Sequence, residues 1–286
     1  MSSSTTNRSL RPLRDATIDD RRVRDILLTA LTVSTGALDA VSWLGLDKVF
    51  SAFMTGNVVF LGLGAAGADA PSPVRVLSAV IAFGVGAFAG ARLVRATSRA
   101  WGSIARTSTG NSPWPRGVTV TLGGTVVLEA VFLVAWAAVG GHPSTAAGDA
   151  LIALTALAMG LQTAAVFSLG VRAVFTTAVT ATWAVLMGDV ASWSSTREER
   201  RRLASVLIGL LVGATAGGLL VLHARSWAPA LPLVVTGLVV AAAARIPWAG
   251  GQAEPAPARM AAPGVPTATV GVPELRPEDD AMRRSA

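Results

Sequence analysis

The stretch TGALDAVSWLGL (residues 35–46) is followed two residues later by VFSAFMTGNVVFLG (residues 49–62). Both runs are mainly apolar, yet they contain Asp39, Thr55 and Asn57, together with glycines that weaken a helix. A carboxylate near the centre of a bilayer costs at least ~2.5 kcal/mol. Polar residues in such a setting are therefore candidates for function, and the rest of the chain is interpreted around them.

Composition places the whole chain in a membrane. Of its 286 residues, 52% are hydrophobic and 14% are charged, and the mean hydropathy is +0.55, outside the range of soluble proteins. We therefore predict an all-α polytopic membrane helix bundle whose first partner is the lipid bilayer. The net charge of +7 does not indicate nucleic acid binding, because the arginines gather in the tails and between apolar runs.

Few residue types are available for chemistry. The chain has no cysteine, which excludes disulfides, thiolate metal sites and cysteine nucleophiles, and it has only two histidines. We expect no metal site and no cofactor. No Ser-His arrangement occurs inside the apolar segments, so an intramembrane enzyme is the weakest of the functional hypotheses and we expect no catalytic residues.

Eight apolar segments follow a polar N-terminus, and most are long enough to span ~30 Å of hydrocarbon. We predict a disordered, basic, cytoplasmic tail at residues 1–25 and a disordered Pro/Ala-rich tail at residues 247–286. The segments lie at about 26–46, 49–67, 74–94, 117–140, 148–170, 173–191, 202–222 and 229–246.

Arginine distribution favours six crossings over eight. The N-terminal tail and residues 92–116 and 192–202 are rich in arginine, whereas the loop 141–149 has none. All three basic regions lie on the cytoplasmic side only if the segments at 49–67 and 173–191 enter the membrane and return. We therefore predict six crossings and two re-entrant or broken helices, with both termini cytoplasmic. Eight crossings remain the alternative.

An internal repeat supports this topology. Residues 37–61 match residues 162–186 at a shift of 125, with shared Leu-Gly, Val-Phe and Thr positions, and the shift continues weakly to Arg75/Arg200 and Gly84/Gly209. The preceding helix fits with a one-residue slip, which pairs Gly36 with Gly160 and Asp39 with Thr163. We predict a first membrane repeat at 26–140 and a second at 148–246. With three crossings each, the repeats are inverted, an architecture found in many transporters.

These motifs carry a family resemblance. The pattern Gly36-x-x-Asp39-Ala40, the run Met54-Thr55-Gly56-Asn57 and the second-copy opening Gly160-Leu161-Gln162 make the chain similar to the YoaK-like family of bacterial membrane proteins, DUF 1275. The resemblance covers about residues 25–246. It implies an integral protein of the bacterial cell (inner) membrane without an assigned activity. The second copy departs from the first, with Thr163 in place of Asp39 and Thr180-Ala181-Thr182 in place of Thr55-Gly56-Asn57.

Two carboxyl groups are the first site candidates. Asp39 lies about two-thirds along its helix and Glu129 lies near the middle of the fourth long segment, with no charged neighbour in sequence. Each could carry a proton or bind a cation. The alternatives are that Asp39 caps a helix break, and that Glu129 is neutral and hydrogen-bonded to a neighbouring helix.

The remaining candidates are polar residues of the two copies. Thr55, Gly56 and Asn57 lie in the proposed re-entrant element, where they could line a substrate path or satisfy freed backbone groups. Gln162, Thr163 and Thr180 are the second-half counterparts. The glycines spaced by four, Gly86/Gly90 and Gly209/Gly213/Gly217, predict close helix packing, with a hinge or a dimer seam as alternatives.

The leading functional hypothesis is a small-solute or ion permease with possible proton coupling, whose path is lined by Asp39, Thr55, Asn57, Glu129 and Gln162. The alternative is a non-transporting membrane scaffold or sensor, in which Asp39 and Glu129 lie apart. The partners expected are an unknown small solute or ion and no nucleic acid, and a homo-oligomer stays open.

Overall fold

The protein is described by a computed structural model over residues 10–104, 113–171, 182–184, 186–188 and 196–248, and no strand occurs in these ranges. The predicted all-α class is confirmed. The helices are α1 (Leu10–Gly45), α2 (Met54–Ala65), α3 (Pro73–Ile104), α4 (Arg116–Ala138), α5 (Thr145–Ser168), α6 (Arg197–His223) and α7 (Ala230–Arg245), with a 3-10 turn at Arg225–Trp227.

Six helical segments among the described residues are long and apolar enough to cross a membrane: α1 from Asp20, α3 as far as Ala100, α4, α5, α6, and α7 together with the 3-10 turn before it (Arg225–Arg245). In contrast, α2 has 12 residues, a length of ~18 Å that falls short of the ~30 Å hydrocarbon core. The predicted broken element at 49–67 is therefore an irregular stretch, residues 49–53, followed by a short helix. Of its predicted second copy at 173–191, the structure describes residues 182–184 and 186–188, which are helical, and the rest lies outside the described residues.

Helix starts follow local sequence. Ser144 caps α5 by accepting a hydrogen bond from the backbone N–H of Ala147, and Thr196 caps α6 in the same way with Glu199. The acidic Glu198 and Glu199 also stand in the first turn of α6, where the helix dipole favours negative charge.

Two groups of buried apolar side chains mark the two ends of the bundle. One group joins the middle of α1, at residues 27–31, to the N-terminal parts of α4 and α6 and the C-terminal parts of α5 and α7. The other joins the C-terminal part of α1 to the N-terminal parts of α3 and α5 and the C-terminal parts of α4 and α6. We call the first the basic end, because the described arginine-rich segments flanking α1, α3, α4 and α6 lie there.

This arrangement supports the six-crossing topology. α1 ends and α3 begins at the end opposite the basic end, so the chain between them, which includes α2, returns to the side that it left. α5 also ends and α6 begins at the basic end. The described parts of the three basic regions consequently share one end, as the arginine distribution predicts.

Glycine allows two pairs of helices to approach closely. A Cβ atom on Gly213 of α6 would overlap the backbone carbonyl of Val33 in α1, and one on Gly86 of α3 would overlap that of Leu157 in α5. A Cβ on Gly90 would lie 2.9 Å from that of Ala164. The predicted packing role of these glycines is confirmed, and their small faces are used inside the chain.

The two close interfaces correspond position by position. Gly36 of α1 meets Leu210 and Ala214 of α6, and Gly160 of α5 meets Phe83 and Ala87 of α3. Residues of α1 therefore correspond to residues 124 later in α5, as the predicted pairing of Gly36 with Gly160 requires. Residues of α3 correspond to residues 127 later in α6.

The predicted continuation at a shift of 125 is thus wrong in this helix. Gly86 corresponds to Gly213, and Arg75 corresponds to Arg202 instead of Arg200. Chance identities between two runs rich in alanine, leucine and valine produced the shift of 125, whereas backbone contact fixes the spacing.

The predicted N-terminal tail differs in part. α1 begins at Leu10, so residues 10–25 are helical instead of disordered. The buried part of α1 already supplies a helix nucleus, and extending a helix costs far less than starting one. Residues 1–9 and 249–286, where the rest of the two predicted tails falls, lie outside the described residues.

Candidate functional site

Asp39 supports the irregular stretch before α2. Its Oδ1 atom accepts hydrogen bonds from the backbone N–H groups of Ser51 at 2.9 Å and Ala52 at 2.8 Å, and from the Ser51 hydroxyl at 2.9 Å. Residues 49–53 have no helical partners for their N–H groups, and an ionised carboxylate offers only acceptors. Asp39 therefore satisfies backbone donors that the helix break sets free.

Asn57 performs a complementary task on the other side of the same stretch. Its Oδ1 accepts from the backbone N–H of Phe50 at 3.1 Å, and its Nδ2 donates to the Phe50 carbonyl at 2.7 Å. The Phe50 ring then stacks on Trp43 with 4.7 Å between ring centroids. This geometry corresponds to the backbone-satisfying alternative for Asn57.

Thr55 and Gly56 do not point into the bundle. Thr55 is exposed, and a Cβ atom on Gly56 would come 2.8 Å from the ring of Phe53. Glycine at position 56 thus lets that ring fold back on α2. The remaining member of the predicted set, Thr180, lies outside the described residues.

Glu129 lies at the centre of the bundle and is 2% exposed. Its Oε1 accepts from the hydroxyls of Thr236 in α7 at 3.2 Å and Ser34 in α1 at 3.4 Å. The two hydroxyls are 2.8 Å apart, and Ser34 Oγ also lies 3.3 Å from the carbonyl oxygen of Pro232. The second carboxyl oxygen, Oε2, is buried and has no hydrogen-bond partner among the described residues.

Gln162 and Thr163 add two further buried oxygens. Gln162 Nε2 donates to Thr35 Oγ1 at 2.8 Å and to the Leu31 carbonyl at 3.4 Å, which joins α5 to α1. Within the part of the chain that the structure describes, Gln162 Oε1 and Thr163 Oγ1 have no partner. Buried polar atoms without partners are uncommon, and each requires a physical explanation.

The predicted residues thus form two groups along α1. The loop group comprises Asp39, Gly56 and Asn57 around Ser51. The core group comprises two hydrogen-bonded sets at adjacent positions of α1, Glu129 with Ser34 and Thr236 and Gln162 with Thr35, together with Thr163, whose hydroxyl has no partner among the described residues. Among the described residues, no hydrogen bond links Asp39 to Glu129. Positions 34 and 39 are separated by a rise of ~7.5 Å along the helix.

Sequence reasoning missed Ser34, Thr35 and Thr236. A Ser or Thr in an apolar helix commonly bonds to the carbonyl four residues earlier, as Thr32 does to Leu28. No pattern in the sequence separates such a residue from one that faces another helix. The contacts alone identify Ser34 as a partner of Glu129.

Ion pairs of corresponding residues join the two halves near opposite ends. Arg75 of α3 donates to Asp149 of α5 at 2.6 Å and lies 3.3 Å from Asp47. Arg202 of α6 lies 3.9 Å from Asp25 of α1, at the basic end. Arg202 follows Arg75 by 127 residues and Asp149 follows Asp25 by 124 residues, the spacings that the close helix interfaces show. With the correct spacings, the sequence would have indicated that the two ion pairs correspond.

Metal ligation by several acidic or imidazole groups finds no support in this part of the chain. Among the described residues, no three His, Cys, Asp or Glu side chains come together. The core group instead offers one carboxylate, hydroxyls and a backbone carbonyl.

Comparison with known proteins agrees with the helix arrangement and the motifs. A family model described as "Protein of unknown function (DUF1275)" matches residues 27–242. The chain belongs to this family. It is also similar to the UPF0700 transmembrane protein YoaK of Bacillus subtilis (strain 168), with 31% identity over 167 residues, which cover 58% of this chain and 67% of the relative.

No solved structure matches the chain. The family resemblance predicted from the motifs is confirmed, and the chain is a multi-pass membrane protein of a transmembrane family. Family membership leaves the activity to be argued from the site.

Proposed function

We propose that this membrane protein is a small-solute or ion permease of the bacterial inner membrane, built from two inverted repeats and with both termini in the cytoplasm. The observation that carries the proposal is the equivalence of its two central interfaces. α1 packs along α6, and α5 packs along α3, through the same pattern of glycines and backbone carbonyls.

The directions of the helices support inverted repeats. α1 runs away from the basic end and α5 runs toward it, while their partners α6 and α3 run parallel to them. Exchanging the two halves therefore requires a rotation about an axis in the membrane plane. Transporters with this architecture place their site near the midplane, where the repeats meet. Glu129 and Thr236 of the core group lie in such a position, in the middle parts of α4 and α7, whereas Gln162 and Thr163 lie in the C-terminal part of α5.

The two ion pairs are suited to closing the path at alternate ends. Each joins a helix of one half to a helix of the other. The Arg75 side chain is 8% exposed and bonds to both Asp149 and the Thr145 carbonyl, whereas the Arg202 contact to Asp25 is long. In this proposal the described conformation is closed more firmly at the end that contains Arg75, and transport opens the two ends in turn.

A non-transporting scaffold or sensor is the second candidate. It is favoured by Asp39, whose Oδ1 is already occupied by three donors from the loop, and by the separation of the loop group from the core group. In that case the core group would serve only to fix helix packing. Neither candidate involves a catalytic reaction.

A flux assay tests the proposal. Purified protein in liposomes is exposed to a panel of small solutes and cations, while a pH-sensitive dye and solute uptake are followed. We expect uptake of at least one solute or cation, and its loss in Glu129→Gln. Thr125→Val is the matched control, because Thr125 is buried one turn from Glu129 and is bonded weakly, at 3.5 Å, to Ala158.

Absence of flux across the panel, with folded protein oriented in both directions, would contradict the permease. Unchanged flux in Glu129→Gln would remove the core group from the path.

A further inference from the structure

Four oxygen atoms converge at the centre of the bundle. They are Glu129 Oε1, Ser34 Oγ, Thr236 Oγ1 and the Pro232 carbonyl oxygen, contributed by α1, α4 and α7. Ser34 Oγ lies within 3.4 Å of the other three, and Thr236 Oγ1 lies 3.2 Å from Glu129. We propose that this cluster binds one small monovalent cation such as Na⁺.

The ligand set determines the class of ion. Carboxylate, hydroxyl and carbonyl oxygens are the ligands of hard cations. Neighbouring ligands at right angles around a cation ~2.4 Å from each oxygen are themselves ~3.4 Å apart. The contacts from Glu129 to Thr236 and Ser34, at 3.2 and 3.4 Å, are close to that spacing. The Ser34 and Thr236 hydroxyls, now 2.8 Å apart, would have to separate by about 0.6 Å to reach that spacing and admit the ion.

Burial of the carboxyl group requires a positive partner or a proton. Glu129 is 2% exposed, and its Oε2 atom has no hydrogen-bond partner among the described residues. An isolated buried carboxylate is strongly unfavourable. A bound cation would neutralise it, and Oε2 is the oxygen left free to turn toward that cation.

The charged groups on the helices around α4 are engaged elsewhere. Asp39 of α1 bonds to the loop before α2, and Arg245 is the last residue of α7. Near the ends of the bundle, Asp25 pairs with Arg24 and Arg202, and Asp149 pairs with Arg75. Arg225 donates to the Gly141 carbonyl, and Arg92 of α3 stacks on the Phe88 ring. Glu129 is therefore the acidic group available to an ion at this depth in the described bundle.

A single carboxylate favours a monovalent ion. A divalent cation would leave one uncompensated charge in the bundle interior, because the other ligands are neutral. Phosphate or another anion is disfavoured, because no cationic side chain contacts the core group in the described residues.

The proposal also fixes the stoichiometry at one ion per chain. Ser34 corresponds to Ala158 at the shift of 124. Thr125 contacts the backbone carbonyl of Ala158, and Thr236 contacts the side-chain hydroxyl of Ser34; pairing the two threonines makes residues of α4 correspond to residues 111 later in α7. Glu129 then corresponds to Val240, and the second half carries neither the carboxyl group nor the serine hydroxyl.

An equilibrium measurement tests the site. Full-length protein in detergent is titrated with NaCl, with choline chloride replacing it at constant ionic strength, and the melting temperature and the protons released are recorded. We expect a saturable rise in melting temperature, larger at about pH 8 than at about pH 5.5 because protons compete with the cation, and release of up to one proton per chain.

Glu129→Gln should abolish the response to Na⁺, and Ser34→Ala or Thr236→Val should weaken the apparent affinity about tenfold, as expected for the loss of one buried polar ligand. Thr125→Val should respond like the wild type. If Glu129→Gln fails to fold, Thr236→Val decides, since it keeps the shape of threonine. A wild type that responds no more to NaCl, KCl or LiCl than to choline chloride overturns the proposal, as does a full response in Glu129→Gln or Thr236→Val.

This site deepens the proposed permease function, for which it would supply the coupling ion, but its test involves no flux. A Na⁺ response without transport would retain the site and reject the permease. Transport without a Na⁺ response would retain the permease and reject the Na⁺ site.

Discussion

In the first half of the bundle, positions 34 and 129 carry Ser and Glu, whereas the corresponding positions in the second half carry Ala158 and Val240. At the close helix interfaces, in contrast, the two halves carry the same residue type at corresponding positions. Gly86 and Gly90 correspond to Gly213 and Gly217, which meet the partner helix in the same way. A helix interface tolerates little change, because an added Cβ atom meets backbone. In the proposed cation site, a polar group that binds one ion per chain is needed in only one half.

The largest effect tests whether the two interfaces are equivalent. Gly86→Leu and Gly213→Leu should each destabilise the protein by more than ~3 kcal/mol, or prevent folding, because helix backbones must separate. Gly84→Leu is the control, since nothing lies within 4 Å of a Cβ atom at that position. Thermal unfolding and size-exclusion profiles in detergent measure the effect. A large loss for only one of the two glycines would break the equivalence.

The ion pairs sharpen the comparison between the two ends. Arg75→Gln should cost ~3 kcal/mol, because it leaves Asp149 without its 2.6 Å partner in a largely buried site. Arg202→Gln should cost ~1 kcal/mol or less, since its contact to Asp25 is long. Thermal unfolding of the two variants side by side provides the measurement. Equal costs would mean that the two ends are equally closed.

Asp39 and Thr163 correspond but differ in their bonding. Asp39→Ala should cost ~2 kcal/mol, because the backbone donors of Ser51 and Ala52 lose their acceptor. Thr163→Val should be neutral or slightly stabilising, since its buried hydroxyl has no partner among the described residues. Asp39→Asn keeps an acceptor oxygen and should lie between them. Proteolysis of the loop before α2, followed with time, reports on the first variant.

The smallest effect concerns the corresponding threonines of α4 and α7. Without added Na⁺, Thr236→Val should cost ~0.6 kcal/mol, the average for a side-chain hydrogen bond between membrane helices. Thr125→Val should cost less, because its bond to the Ala158 carbonyl is 3.5 Å long. Unfolding midpoints in a denaturing detergent compare the two. If Thr125→Val lowered the free energy of unfolding more than Thr236→Val does, it would contradict the assignment of Thr236, and not Thr125, as the threonine that bonds to the Glu129 carboxyl group.

Some of the site could be predicted from sequence because its residue types have few other uses in lipid. Asn57 beside Gly56 in an apolar run indicated a departure from helix, and the structure places it on the backbone of Phe50. The contact of Thr236 with Glu129 could not be predicted from sequence. A threonine in an apolar helix can donate its hydroxyl to a carbonyl of its own helix, as Thr32 and Thr35 of α1 do, and the sequence does not show which threonine contacts another helix. The spacing between Arg75 and its counterpart likewise required contacts, since alanine-rich and leucine-rich helices match at several shifts.

The sequence by itself determined the membrane class and favoured six crossings with arginine gathered at one end, because the costs of burying backbone and charge in lipid act residue by residue. Only the tertiary structure decided that Ser34 and Thr236 share Glu129. It also decided that the carboxylate of Asp39 supports a loop, while one carboxyl oxygen of Glu129 has no partner among the described residues. Those outcomes depend on which face of each helix meets its neighbour. Close packing between segments about 100 residues apart in the chain sets these faces, and a local sequence pattern contains no information about such packing.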